Sequence, residues 1–247
     1  MSGIEINIDP IIFHVGKFTL GWYGLAIIAA ISVAILVAVK EGTRKGIAKE
    51  HIYAVALWGV IAGIAGARLF HVVDKIGRYW SHPADILAFQ EGGLAIWGGV
   101  VGGVLAGAIY ARTKQVPLAR LADVAVLALL AGQIVGRLGC IVNGDAYGGP
   151  TGLPWGFIYV HPDALVPESL AGVSTHPYPV YEMIWNFASL SLLWMLRTRL
   201  RTDGLLFFGY VFLYSLGRFS LTFVRQEDIW FWGLQEAQVV ALLGLIV

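Results

Sequence analysis

Three arginines, Arg68, Arg137 and Arg218, stand inside long apolar runs that offer a guanidinium nothing to bind. An arginine inside a bilayer costs at least about 2.5 kcal/mol on insertion scales, so each must face a partner or a wet cavity. Guanidinium forks match phosphate oxygens in pairs and keep their charge at any accessible pH. Three of them at one depth repel each other unless an anion lies among them. The pattern therefore points to an anionic ligand, and a phospholipid head group fits that description. Pairings within the chain compete with this reading: Arg68 with Asp74, Arg137 with Asp145, and Arg218 with Glu182. Tyr23 and Glu182 each begin an apolar run at the same level. His176, six residues before Glu182, reads either as a proton relay at neutral pH or as an ordinary loop histidine. The other histidines read as interface or loop residues, and none has zinc-ligand spacing. There is no Gly-x-Ser-x-Gly elbow and no Ser/His/Asp set. Cys140 cannot make an internal disulfide and reads as a small packing residue. Neither a metal nor a cofactor is expected.

The elements that must carry these residues follow from composition. Of the 247 residues, 57% are hydrophobic and 13% charged, where soluble domains carry roughly 25% charged. The mean hydropathy is +0.72. A formal net charge of +1 supplies no basic field for nucleic acid. The chain is expected to be an all-α, polytopic membrane protein in a single transmembrane domain over 1–247. A span needs about 20 mostly apolar residues, and seven runs qualify: 18–39, 51–73, 94–111, 121–142, 178–196, 204–224 and 230–247. Ten of the seventeen Lys and Arg residues fall in the alternate loops 40–50, 112–120 and 197–203. The positive-inside bias puts those loops in the cytoplasm, the amino terminus outside and the carboxyl terminus inside. No removable signal peptide is expected. The outer segment 143–177, rich in Gly, Pro and aromatic residues, suits the membrane interface. Arg68 follows Lys49 by 19 residues and Arg137 follows Arg120 by 17, which at 1.5 Å per residue raises both about 25 Å above the inner face. Arg218 lies slightly deeper, also in the outer half. Glycines four apart, at Gly59 and Gly63, Gly98 and Gly102, and Gly99, Gly103 and Gly107, are expected to pack spans two and three closely. Asp123 is expected to cap its helix or meet Arg120.

The run Gly136-Arg137-Leu138-Gly139-Cys140-Ile141-Val142-Asn143-Gly144-Asp145, continued by Tyr147-Gly148, resembles the signature of the phosphatidylglycerol:prolipoprotein diacylglyceryl transferases. The resemblance extends through Trp22-Tyr23-Gly24, Gly66-Ala67-Arg68, Glu91-Gly92-Gly93-Leu94, His176-Pro177 with Tyr181-Glu182, Gly217-Arg218-Phe219 and Arg225-Gln226-Glu227-Asp228. It implies an enzyme of the bacterial plasma (inner) membrane with its site towards the outer face. That enzyme moves the diacylglyceryl group of phosphatidylglycerol onto the thiol of the lipobox cysteine of a prolipoprotein signal peptide. A thioether forms and glycerol phosphate leaves. By resemblance Arg137, Arg218 and Glu182 are catalytic. Tyr23, Arg68, Gly92, Gly93, Trp97, Asn143, Asp145, Gly148, His176 and Arg225, with Arg137, bind substrate. Many members carry His where this chain has Trp97. Cys140 replaces the usual Asn, and Thr222 stands where an acidic residue is common.

Two other readings compete with a transferase. A transporter or flippase for an anionic solute or lipid would favour internal repeats and a midplane site, and neither is visible here. A structural membrane subunit would leave the costly arginines unexplained. A divergent paralogue with a different acceptor is a further alternative.

Overall fold

A computed structural model describes residues 3–16, 18–87, 92–225, 229–231 and 233–246. Glu91 and Gln226-Glu227-Asp228, parts of the motifs above, lie outside the described residues. The chain is mostly helical, but strands are interleaved with the helices. In order they are β1 (Ile4–Ile6), β2 (Ile11–Val15), β3 (Phe18–Gly21), α1 (Trp22–Arg44), α2 (Lys49–Asp74), α3 (Ile76–Ser81), a 3-10 turn (Pro83–Leu87), α4 (Ile96–Thr113) and α5 (Leu118–Asn143). There follow β4 (Phe157–Tyr159), a 3-10 turn (Glu168–Leu170), β5 (Ser174–Thr175), α6 (Tyr178–Leu196), α7 (Leu205–Thr222), β6 (Ile229–Phe231), β7 (Leu234–Gln235) and α8 (Glu236–Ile246).

Each of the seven expected spans contains a helix. Four of those helices, α1, α2, α5 and α7, are long and apolar enough to cross a membrane. The expectation of an all-α chain is corrected by three small sheets among the described residues. Residues 18–21, taken as the head of the first span, instead form β3 in an antiparallel pair with β2. The last span shortens to the 11 residues of α8, because β6 and β7 occupy its expected beginning. Segment 143–177 supplies β4 and β5, and β4 pairs in parallel with β1 through Ile4 and Phe157.

The described chain forms two compact units, Met1–Val37 with Ala125–Val247, and Ala38–Val124. In the second unit, α1 ends in a left-handed turn at Gly46, φ +78°. Ile47 N–H donates to the Gly42 carbonyl and Gly46 N–H to Thr43, a Schellman closure that satisfies orphan carbonyls at the helix end. The end of α4 repeats it with Gln115 at φ +55° and Val116 N–H bonded to Ala111. Both turns deliver an apolar residue to one core, where Ile47 and Val116 pack with Ile52, Ala111, Leu121 and Val124. Asp123 is buried and meets Lys45 Nζ at 2.6 Å. Arg120 Nη1 donates to the Lys45 carbonyl.

The glycines of α2 and α4 pack as expected, but the tightest contact involves an unforeseen member. A Cβ on Gly98 would land on the Gly66 carbonyl and within 2.7 Å of Phe70 Cβ. One on Gly102 would fall on the Ala62 carbonyl. Gly99 and Gly103 keep ordinary contact distance from the carbonyls of Gly63 and Gly59. Large apolar side chains on the other faces of these helices, such as Leu57, Leu69 and Val104, are exposed, as lipid-facing residues are.

In the first unit, Val126, Leu127 and Leu130 of α5 pack with Leu193 of α6 and Leu206 of α7. Helix α6 carries Pro179 in its first turn, where the fixed φ of proline is suited. Above these leucines the facing positions turn polar, and there the candidate site begins.

Candidate active site

Arg137 on α5 and Arg218 on α7 converge on one carboxylate, Glu182 of α6. Arg218 Nη1 donates to Glu182 Oε1 at 2.8 Å and to the Tyr178 hydroxyl at 2.8 Å. Tyr178 O–H in turn donates to Glu182 Oε1 at 3.2 Å. It can do so because the two residues lie four apart on one helix face. Arg137 Nη2 approaches Glu182 Oε2 to 2.5 Å as an ion pair. That contact lacks the alignment of a hydrogen bond, and Oε2 accepts none among the described residues. Arg137 Nη1 also reaches Cys140 Sγ at 3.6 Å, one turn on. The anion that must separate the guanidiniums is thus partly supplied by the chain. Two cations and one carboxylate still leave the cluster one positive charge.

Beside this cluster lies a second meeting of expected residues. Gly148 N–H donates to the His176 carbonyl, Gly149 N–H to Val224, and Gly148 bridges to Arg225. A Cβ at Gly148 would come within 2.6 Å of His176 Cβ and 2.9 Å of the Val224 carbonyl. Only glycine admits these three backbones together. The Arg225 guanidinium stands 5.2 Å from the Tyr178 ring, so Tyr178 joins the two groups. His176 Nδ1 lies 3.2 Å from the Tyr181 hydroxyl, which takes the indole N–H of Trp155 at 3.1 Å.

Tyr23 belongs beside the same cluster. Its Cα would lie 3.1 Å from a Cβ on Gly139, and Cys140, Asp145 and Arg137 stand near enough for their charges to act on its hydroxyl. Asn143 ends α5, and its carbonyl accepts from Leu165 N–H. Asp145 is exposed and does not pair with Arg137. Gly144, φ +73°, lets the chain turn over the Tyr159 ring. Burial, then the nearby Asp145 and Cys140, push the Tyr159 phenol well above its usual range.

Arg68, Gly92, Gly93 and Trp97 belong to the other unit. Arg68 is buried and does not pair with Asp74. Its Nε donates to the Ile86 carbonyl at 2.9 Å, and Nη1 to Gly92 at 2.6 Å and Gly93 at 3.1 Å. Nη2 donates to the Asp85 carbonyl. Gly92 and Gly93 have φ of +79° and +74°, a conformation only glycine adopts freely. Trp97, in the first turn of α4, is exposed.

Tyr178 escaped the reading of the sequence as a site residue. The available signal was its place four residues before Glu182. Between α5 and α7, Gln133 Nε2 donates to the Tyr210 hydroxyl at 3.3 Å. Among the described residues, Asp9, His161 and Asp163 bring possible ligand atoms within 4.8 Å of one another, but two of the three are exposed.

A family model described as prolipoprotein diacylglyceryl transferase matches residues 10–247. Similar proteins bear the name phosphatidylglycerol–prolipoprotein diacylglyceryl transferase. One from Clostridioides difficile is 34% identical over 238 residues, 96% of this chain and 92% of its own length. One from Bacillus cytotoxicus is 36% identical over 248 residues, covering 100% and 92%. One from a Nostoc species is 34% identical over 243 residues, covering 96% and 85%.

Proposed function

We propose, for a chain that belongs to the prolipoprotein diacylglyceryl transferase family, that the Arg137–Glu182–Arg218 cluster is where its transfer takes place. The protein is a membrane transferase of lipoprotein maturation. Its lipid substrate is phosphatidylglycerol, and its acceptor is the lipobox cysteine of a prolipoprotein. In the reaction the cysteine sulfur bonds to the glycerol carbon that carries the phosphate. The carbon–oxygen bond breaks, glycerol phosphate leaves with the electron pair, and the thiol proton passes to solvent.

The observation that carries this reading is the positive charge left over between Arg137 and Arg218. A phosphodiester carries one negative charge, and the leaving phosphate gains another as the bond breaks. Fixed guanidiniums therefore stabilise the transition state more than the bound lipid. Arg218, held by two good hydrogen bonds, addresses the leaving phosphate. Arg137, paired without alignment, can turn a fork towards the head group. The same field stabilises the thiolate and so lowers the thiol pKa, which serves a chain with Trp97 where many relatives have histidine.

Asn143, Asp145, Gly148, Tyr23, His176 and Arg225 shape the head-group and peptide side of the site. Arg68, spent on backbone carbonyls, holds the Gly92–Gly93 turn that leads to Trp97. We read the seven apolar helices as seven spans of one membrane domain. The amino terminus is outside, the carboxyl terminus is cytoplasmic, and the site opens to the outer face of the bacterial inner membrane.

The test is incubation of the purified protein with head-group-labelled phosphatidylglycerol and a lipobox peptide. Labelled glycerol phosphate released only with the cysteine-containing peptide supports the reading. Movement of intact lipid without release would sink it in favour of a flippase.

A further inference from the structure

We infer that Gln133 and Tyr210 recognise the ester carbonyls of the lipid substrate, one level below the arginines that hold its phosphate. The inference rests on the transferase reading and adds to it a specificity for ester-linked lipids.

Gln133 precedes Arg137 by four residues on α5, and Tyr210 precedes Arg218 by eight on α7. Each polar residue therefore lies below its arginine on a similar helix face, one turn lower on α5 and about two turns lower on α7. The two side chains bond to each other across the interval. Beneath them Tyr210 rests on the leucine core of α5, α6 and α7. The Tyr214 ring stacks on Tyr210 with centroids 5.5 Å apart.

The pair does not complete its own bonding. Gln133 Oε1 is buried without a partner among the described residues. The Tyr210 hydroxyl accepts from Gln133, and the described residues give its own proton no acceptor. Unmet polar groups in an apolar interior are costly, and a fold that needed only packing would place apolar residues there. As the bonds stand, the Tyr210 O–H and the second amide N–H of Gln133 are two donors for which the described residues supply no acceptor.

A diacylglyceryl lipid has two such acceptors and no competing donors at that level. Its ester carbonyls lie on the acyl side of the glycerol. With the phosphate at Arg137 and Arg218, they fall towards the membrane interior, where Gln133 and Tyr210 stand.

The experiment compares phosphatidylglycerol with its dialkyl ether analogue, which keeps the phosphate and chains but lacks both carbonyls. Transfer to a lipobox peptide is measured for the unaltered protein and for Gln133→Met and Tyr210→Phe, each close in volume to the original. The unaltered protein should favour the ester lipid by about tenfold in kcat/KM for each hydrogen bond lost. Most of that difference should appear in KM, because the carbonyls do not change in the reaction. Gln133→Met should lower the ester rate towards the ether rate and leave the ether rate nearly unchanged, a pattern that misfolding does not produce. Tyr210→Phe should narrow the preference less. Equal use of the two lipids by the unaltered protein would overturn the inference, as would a preference unchanged in both variants. Transfer from neither lipid would remove the transferase reading itself.

Discussion

Glu182 decides how two arginines share an apolar interior. Its carboxylate meets both guanidiniums, and Tyr178 helps hold it. Removing Arg218 takes away the donor with the better-formed bonds, so Arg218→Ala should lower kcat by about 10²–10³ while the protein stays folded. Initial rates with a lipobox peptide, beside a thermal melt in detergent, measure both quantities. Glu182→Gln keeps an acceptor for Tyr178 but removes the anion. The cluster should then hold phosphate too tightly, so turnover falls and glycerol phosphate inhibits at lower concentration than in the unaltered protein. Product-inhibition curves test that, and an unchanged inhibition constant would refute the charge argument. At this scale much was readable in advance. Arg137, Arg218 and Glu182 stood out because charge among apolar residues is expensive, and the Arg218–Glu182 pairing was among the alternatives. The bond from Tyr178 was not legible, since a tyrosine at a helix start serves an interface equally well.

Helix α2 approaches α4 along a line of backbone contacts where no side chain fits. Alanine at Gly98 would collide with the Gly66 carbonyl, whereas alanine at Gly103 would meet the Gly59 carbonyl at 3.5 Å. Gly98→Ala should therefore destabilise the pair by about 1–3 kcal/mol, the usual cost of overpacking, and Gly103→Ala should be tolerated. Denaturation of the two variants in the same detergent compares them directly. The four-residue glycine spacing announced a close pair but could not say which glycines touch, because that depends on helix rotation. Element boundaries were readable where an apolar run ends in charge or in a left-handed turn, as at Gly46. They were not readable at residues 18–21. Those residues are as apolar as the helix they precede, and hydropathy does not separate a short strand from a helical turn.

For the whole molecule, the alternation of basic loops predicts an orientation with Lys114 and Arg201 inside and Leu165 outside. Single cysteines at these positions, in a Cys140→Ala background, should divide accordingly. The Leu165→Cys protein should react with a membrane-impermeant maleimide on intact spheroplasts. The Lys114→Cys and Arg201→Cys proteins should react only after permeabilisation. Labelling of all three on intact spheroplasts would reject the orientation. Composition and the order of residues by themselves determined that this is a helical membrane protein, and they marked the charged positions whose burial demands a reason. That information is local: each span reports its own hydropathy and each arginine its own cost. Only the tertiary structure decided that Arg137 and Arg218 share Glu182 while Arg68 binds the carbonyls of Asp85, Ile86, Gly92 and Gly93. The physical reason is that a guanidinium donates to a carboxylate, a carbonyl or a phosphate alike, and which of these it meets depends on how segments distant in sequence are brought together.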